Sequence, residues 1–173
     1  MHKPIEQGFA PILGEQPEIL ILGTMPSVAS LQVQQYYGHP RNAFWWIMGQ
    51  LFDFDASLPY PQRAEQLKRH KVAVWDVIAS CHRPGSLDSR IDKDTVKAND
   101  FAGLFAGISS FKLLAFNGQA AEKLFGKHIG FDVWTGARFT LPSTSPAHAS
   151  LTWEQKLDQW RQIKIFHSSD SEA

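Results

Sequence analysis

Three short runs of β-branched and aliphatic residues, separated by stretches of helical periodicity, restrict this chain to a narrow set of folds. Ile19-Leu20-Ile21-Leu22 is apolar at every position and ends in Gly23-Thr24-Met25-Pro26-Ser27, the pattern of a strand buried on both faces that runs into a loop. Val72 to Ile78 and Phe111 to Phe116 have the same character. Between them, Phe44, Trp45, Ile47, Met48, Leu51 and Phe52 form a wide apolar stripe at helical spacing behind Asn42, a candidate N-cap. Gln62 to His70, Asn99 to Gly107 and Gln119 to Phe125 are further amphipathic patterns, the last stopped by Gly126, and Thr152 with Gln155 opens a final helix as a capping box. Such alternation predicts an α/β fold, a parallel sheet covered by helices on both faces. Ligands bind these sheets at the carboxyl ends of the strands.

The 173 residues, 43% of them hydrophobic, suit one domain over 1–173, with an irregular lead-in over 1–17 and a frayed polar tail over 168–173. Seventeen basic and seventeen acidic side chains cancel, so a nucleic-acid partner has to be met by a local patch rather than a uniform field. The single cysteine, Cys81, excludes an internal disulfide and a multi-cysteine metal centre, and it suits the reducing cytoplasm. The longest apolar run is too short to span a membrane, and the start lacks a signal peptide's apolar segment. No two of the seven histidines stand at i, i+4, and neither Gly-x-Ser-x-Gly nor Gly-Lys-Thr occurs. Metal hydrolases, lipase-like triads and P-loop enzymes are disfavoured, and neither a metal nor a cofactor is expected.

Three loops at predicted strand ends hold chemistry-bearing residues. In the first, Gly23 lets the backbone approach a ligand, Tyr36 and Tyr37 offer planar faces, and Asn42 offers an amide where a helix begins; alternatively the glycine and prolines only make the turn, the tyrosines pack and Asn42 caps. In the second, Asp76 interrupts an apolar run, and a buried carboxylate needs a partner or a task; at a solvated strand end it needs neither. His82 and Arg83 follow, suited to phosphate or simply to a loop surface. In the third, Pro142-Ser143-Thr144-Ser145-Pro146 is a stiff, low-profile loop able to press on a sugar-phosphate backbone, or a plain connector.

Together the segments Gly23-Thr24-Met25-Pro26-Ser27, Tyr36-Tyr37-Gly38-His39-Pro40-Arg41-Asn42-Ala43-Phe44-Trp45 and Leu141-Pro142-Ser143-Thr144-Ser145-Pro146-Ala147 resemble, in order and spacing, the uracil-DNA glycosylase superfamily. The long first block is most similar to the hypoxanthine-DNA (deoxyinosine) glycosylase branch. The resemblance implies a three-layer sandwich around a four-stranded parallel sheet. It also implies an enzyme that flips a deaminated base from DNA and hydrolyses its N-glycosidic bond, leaving an abasic site, with hypoxanthine preferred and uracil the alternative. A DNA-damage binding module without catalysis and an enzyme of free nucleosides are the readings of other classes.

The resemblance also assigns roles. Many relatives hold the attacking water with Asp or Asn where this chain has Met25, and a thioether cannot do that; the role falls to Asn42, the expected catalytic residue. Gly23, Thr24, Met25, Tyr37 and Asp76 are expected to bind the base, with Tyr37 stacking on it. His39, Arg41, His82, Arg83, Ser143, Thr144, Ser145 and Pro146 are expected to meet DNA, and Pro146 and Ala147 lie near the wedge that fills the vacated stack. Leu141 replaces the histidine of the strongest uracil enzymes, which implies weak uracil activity. The small wedge implies faster release from mispairs or single strands. No lysine sits in these loops, so a monofunctional enzyme is expected; a monomer is expected as well.

Overall fold

In a computed structural model, described here over residues 3–168, β2 (Ile19–Gly23), β3 (Val72–Asp76), β6 (Leu113–Asn117) and β7 (Ala137–Leu141) form a parallel sheet in the order β3-β2-β6-β7. Alternate residues of each strand face opposite sides. Ile19, Ile21, Val72, Val74, Leu113 and Ala115 join a core with α2 (Phe44–Phe52) and α6 (Trp153–Trp160). Leu20, Leu22, Ala73, Leu114 and Phe116 join a second core with α4 (Phe101–Gly107) and α5 (Gln119–His128). The fold is therefore the α/β sandwich that the alternation predicts. Remaining helices are α1 (Val28–Val33), in the stretch read only as loop, and α3 (Tyr60–Arg69), which starts two residues before the expected Gln62 because Pro61 serves its first turn.

A second, antiparallel sheet was not legible. It comprises β1 (Glu6–Gln7), β4 (Ile78–His82) and β5 (Asp92–Ala98) in the order β1-β4-β5. The expected single run from Val72 to Ile78 divides at Val77, whose N–H donates to Gly23 O at 2.8 Å before β4 departs into this second sheet. The 1–17 lead-in is likewise corrected: β1 pairs with β4, and Ile12 bridges Val74. Backbone pairing of this kind depends on a distant partner strand, which local turn residues do not reveal.

Two further expectations change. Gly126 does not stop α5; a Cβ there would sit 2.7 Å from the Phe131 ring, so the glycine makes room for packing while the helix continues to His128. Of the tail expected to fray, Ser168 is held by Glu18, its N–H donating to Oε1 at 2.8 Å, and 169–173 lie outside the described residues.

Candidate active site

Four parallel strands deliver their carboxyl ends to one edge, and what stands there is Gly23 on β2, Asp76 on β3, Asn117 on β6 and Leu141 on β7. Around the first three lies a cavity of about 120 Å³, roughly an order of magnitude beyond what one water needs and compatible with one planar heterocycle. Thr24, Met25, Tyr37, Asn42, Ser143 and Ser145 complete much of its wall. Gly23 is placed where nothing larger fits, since a Cβ would lie 2.6 Å from Asp76 Oδ1 and 2.8 Å from Tyr37 Oη.

Tyr37 has a left-handed backbone, φ 54°, which costs a residue with a Cβ about 1–2 kcal/mol and aims the ring. Phe44 stacks on that ring at 4.1 Å between centroids, stiffening it as a platform. Its buried hydroxyl has no hydrogen-bond partner among the described residues, and burial, with the charge of Asp76 second, pushes it above the ordinary tyrosine range. Asp76 is 4% exposed and its Oδ2 is likewise unpartnered. Burial, reinforced by Asp88 and opposed by Arg83, raises its carboxyl to about 7. Of the two readings of Asp76, the buried carboxylate holds. An unpartnered buried oxygen that is protonated near neutrality is a donor or an acceptor in reserve.

Asn42 lies just outside α2, whose N-cap is Ala43; its Oδ1 nevertheless accepts from Phe44 N–H at 2.9 Å. That bond orients the amide, and Nδ2 finds no acceptor among the described residues. Met25 lines the cavity and is buried in a cluster with Ile78, Cys81 and Ile91. Thr24 Oγ1 donates to Asp88 Oδ1 at 2.7 Å, tying the first loop to the β4–β5 connection. Partial desolvation raises the Asp88 carboxyl, against that hydrogen bond and Arg83.

Asn117, absent from the expected site, organises the third loop. Its Nδ2 donates to Thr144 Oγ1 and its Oδ1 accepts from Thr144 N–H, both at 2.9 Å, while Thr144 O accepts from Ala43 N–H at 3.0 Å. The polar residue ending the Phe111–Phe116 run ahead of Gly118 was the available signal, the same one that marks Asp76. Thr144 is 1% exposed, which corrects its expected contact with DNA: its side chain and N–H are spent on Asn117 of β6 and its carbonyl on Ala43, so it joins the third loop both to the sheet and to the Asn42 loop. Ser143, Ser145 and Pro146 are half-buried beside it, with Ser143 and Ser145 lining the cavity.

Arg83 is a second correction. Its side chain is fully buried, with Nε donating to Gly85 O at 2.8 Å and Nη2 to Pro26 O, and Glu6 beside it. It clasps the first loop to the second sheet, and its full burial keeps it out of reach of phosphate, although Nη1 has no partner among the described residues. His82 leads away from the cavity, donating from Nδ1 to Pro4 O at 2.7 Å. His39 Nδ1 accepts from Arg41 N–H at 3.0 Å, and Arg41 is exposed. Among the described residues no three His, Cys, Asp or Glu side chains converge on a metal position, and no helix is long and apolar enough to cross a membrane.

A cavity at the carboxyl ends of parallel strands, large enough for one heterocycle and walled by a fixed ring, stands where α/β proteins of this architecture bind their ligands. The model of the uracil DNA glycosylase superfamily matches residues 11–166, and the chain belongs to that family. It is a DNA glycosylase, a hydrolase of N-glycosyl bonds in DNA. A Methanosarcina acetivorans protein named hypoxanthine DNA glycosylase is 39% identical over 92% of this chain and 98% of its own length. Its Methanosarcina barkeri namesake is 41% identical over 66% of this chain and 72% of its own. The solution NMR structure of a candidate uracil DNA glycosylase from Methanosarcina acetivorans superposes with a TM-score of 0.75 at 32% identity, covering 93% of this chain and 99% of that one.

Proposed function

We propose that this glycosylase excises hypoxanthine from DNA as a monofunctional enzyme, with Asn42 as its catalytic residue. The observation that carries the assignment is the contrast between two residues of one wall. Met25 stands where many relatives hold water and is packed among apolar side chains, while Asn42 presents an oriented amide with a free Nδ2 to the cavity.

A neutral amide suffices for this chemistry. The C1′–N9 bond breaks largely ahead of attack, its electron pair leaving with the base and the sugar becoming oxocarbenium-like. Water then adds to C1′, and its proton is released as the base is protonated. Asn42 orients that water through the second lone pair of Oδ1 and stabilises developing charge through Nδ2 in a largely dry site. Tyr37 stacks on the flipped base.

Asp76 reads the base edge. Hypoxanthine carries a carbonyl beside a ring N–H, and Asp76 accepts from the N–H while backbone N–H groups near Thr24 and Met25 meet the carbonyl. Adenine, with an amino donor in place of the carbonyl, leaves those groups unpaired at a cost of about 1–3 kcal/mol each. Uracil shares the carbonyl and N–H pattern and is the second reading, disfavoured because Leu141, at the end of β7, stands where the strongest uracil enzymes have a histidine. Ser143, Ser145, Pro146, His39 and Arg41 meet the DNA backbone. We place the enzyme, as a monomer, in the compartment that holds the chromosome, where its single buried thiol stays reduced.

The test is base release in EDTA from matched oligonucleotides carrying deoxyinosine or deoxyuridine, with alkali to reveal abasic sites. Hypoxanthine release that collapses in Asn42→Ala is expected. Uracil release alone would overturn the substrate, and full activity in the variant would overturn the role of Asn42. Strand scission without alkali would overturn the monofunctional assignment.

A further inference from the structure

Six residues line both the base-sized cavity and the wider neighbouring groove of about 900 Å³: Leu87, Asp88, Asn117, Ser143, Ser145 and Ala147. They form the lip a base crosses between helix and pocket. On the third-loop side the lip is made of small side chains only. Leu87 is its one large apolar side chain, and it is 55% exposed.

The segment carrying Leu87 is held from several directions. Ser86 Oγ accepts from Val28 N–H at 2.9 Å, Arg90 N–H donates to Leu87 O at 3.0 Å, and Asp88 is bonded to Thr24. Two residues before Leu87, Gly85 O is gripped by the buried Arg83. An exposed leucine on so tethered a turn is costly to hydration and gains nothing from the fold. It becomes useful once something apolar is placed against it. Aromatic base faces, exposed when a nucleotide leaves the stack, are such a surface, and leucine side chains fill gaps of this kind in bent or opened DNA.

We propose that Leu87, from the β4–β5 connection, is the wedge that occupies the space left by the flipped nucleotide, supplying from the second sheet the bulk that Ala147 lacks. The inference rests on the glycosylase reading and concerns how the base is extracted, not how its bond is cut. Leu87 therefore matters where a stack has to be kept open and is dispensable where none exists.

The experiment compares wild type, Leu87→Ala and Leu87→Met on the same deoxyinosine oligonucleotide, single-stranded and paired. A 2-aminopurine beside the lesion reports broken stacking by its fluorescence. In Leu87→Ala we expect duplex release to fall at least tenfold, single-strand release to stay within about twofold, and the duplex fluorescence rise to disappear; Leu87→Met recovers most of both. An unchanged melting temperature excludes misfolding as the cause. Equal losses on both substrates, or undiminished duplex release and fluorescence, would overturn the wedge. Should wild type release no base from any strand, the glycosylase reading fails, and the fluorescence still decides the wedge: a rise lost in Leu87→Ala supports it, a rise retained overturns it.

Discussion

Gly23 and Asp76 are register partners at the carboxyl ends of β2 and β3, so close that a Cβ on residue 23 would lie 2.6 Å from Asp76 Oδ1. The Tyr37 hydroxyl approaches the same point from the other side. Three groups thus meet where any side chain at position 23 would displace a base.

Gly23→Ala therefore acts on the reaction more than on the fold. We expect kcat/KM for hypoxanthine release to fall about a hundredfold, the scale of an ångström-sized misplacement, with a small loss of thermal stability. Parallel base-release and melting measurements check this, and near-normal release would contradict the proximity.

Asp76 couples the site to pH. Its carboxyl titrates near 7 in the folded protein and near 4 when unfolded, so between those values the folded state holds the extra proton. Its contribution to stability is present below about pH 4 and is lost as pH rises through 7. Asp76→Asn should remove that slope and gain on the order of a few kcal/mol over wild type at pH 8. Urea denaturation at pH 4.5 and 8 measures it, and identical slopes in both proteins would refute it.

Glu18 runs the opposite way. Burial pushes its carboxyl up, but hydrogen bonds from Ser168 and Lys112, with the Lys112 ammonium 2.9 Å away, prevail and hold it at about 2. Its contribution is present above the ordinary carboxylate range and vanishes as pH falls toward 2. Glu18→Gln should cost stability at pH 7 and nothing near pH 2, as denaturation at both values will reveal.

Thr144 binds three segments together, so Thr144→Val leaves the Asn117 amide buried without its acceptor. A loss of about 1–3 kcal/mol is expected, together with a raised KM for DNA as the third loop loosens. Denaturant midpoints and single-strand kinetics check the two effects separately.

Deoxyinosine in a mispair or a single strand should be processed faster than in a stable pair, because less stacking and pairing is surrendered on flipping. Equal rates across matched oligonucleotides would contradict this.

Much of the fold is written locally. The apolar runs at Ile19, Val72 and Leu113 suffice for buried parallel strands because each alternates its faces between two cores, and Thr152 and Gln155 form their capping box within one turn. The resemblance carried by the three loops brought Gly23, Tyr37, Asp76 and Asn42 into one account, and the parallel sheet accounts for Gly23 and Asp76 by delivering its carboxyl ends to one edge. Tertiary structure decided what local chemistry leaves open. Arg83 became a buried clasp and Thr144 a strut because their partners, Pro26 and Asn117, lie 57 and 27 residues away. The second sheet, which sets Leu87 on the lip, pairs strands whose register no nearby residue dictates. Periodicity determines which residues are buried; which polar group a buried donor finds is settled only when distant segments pack.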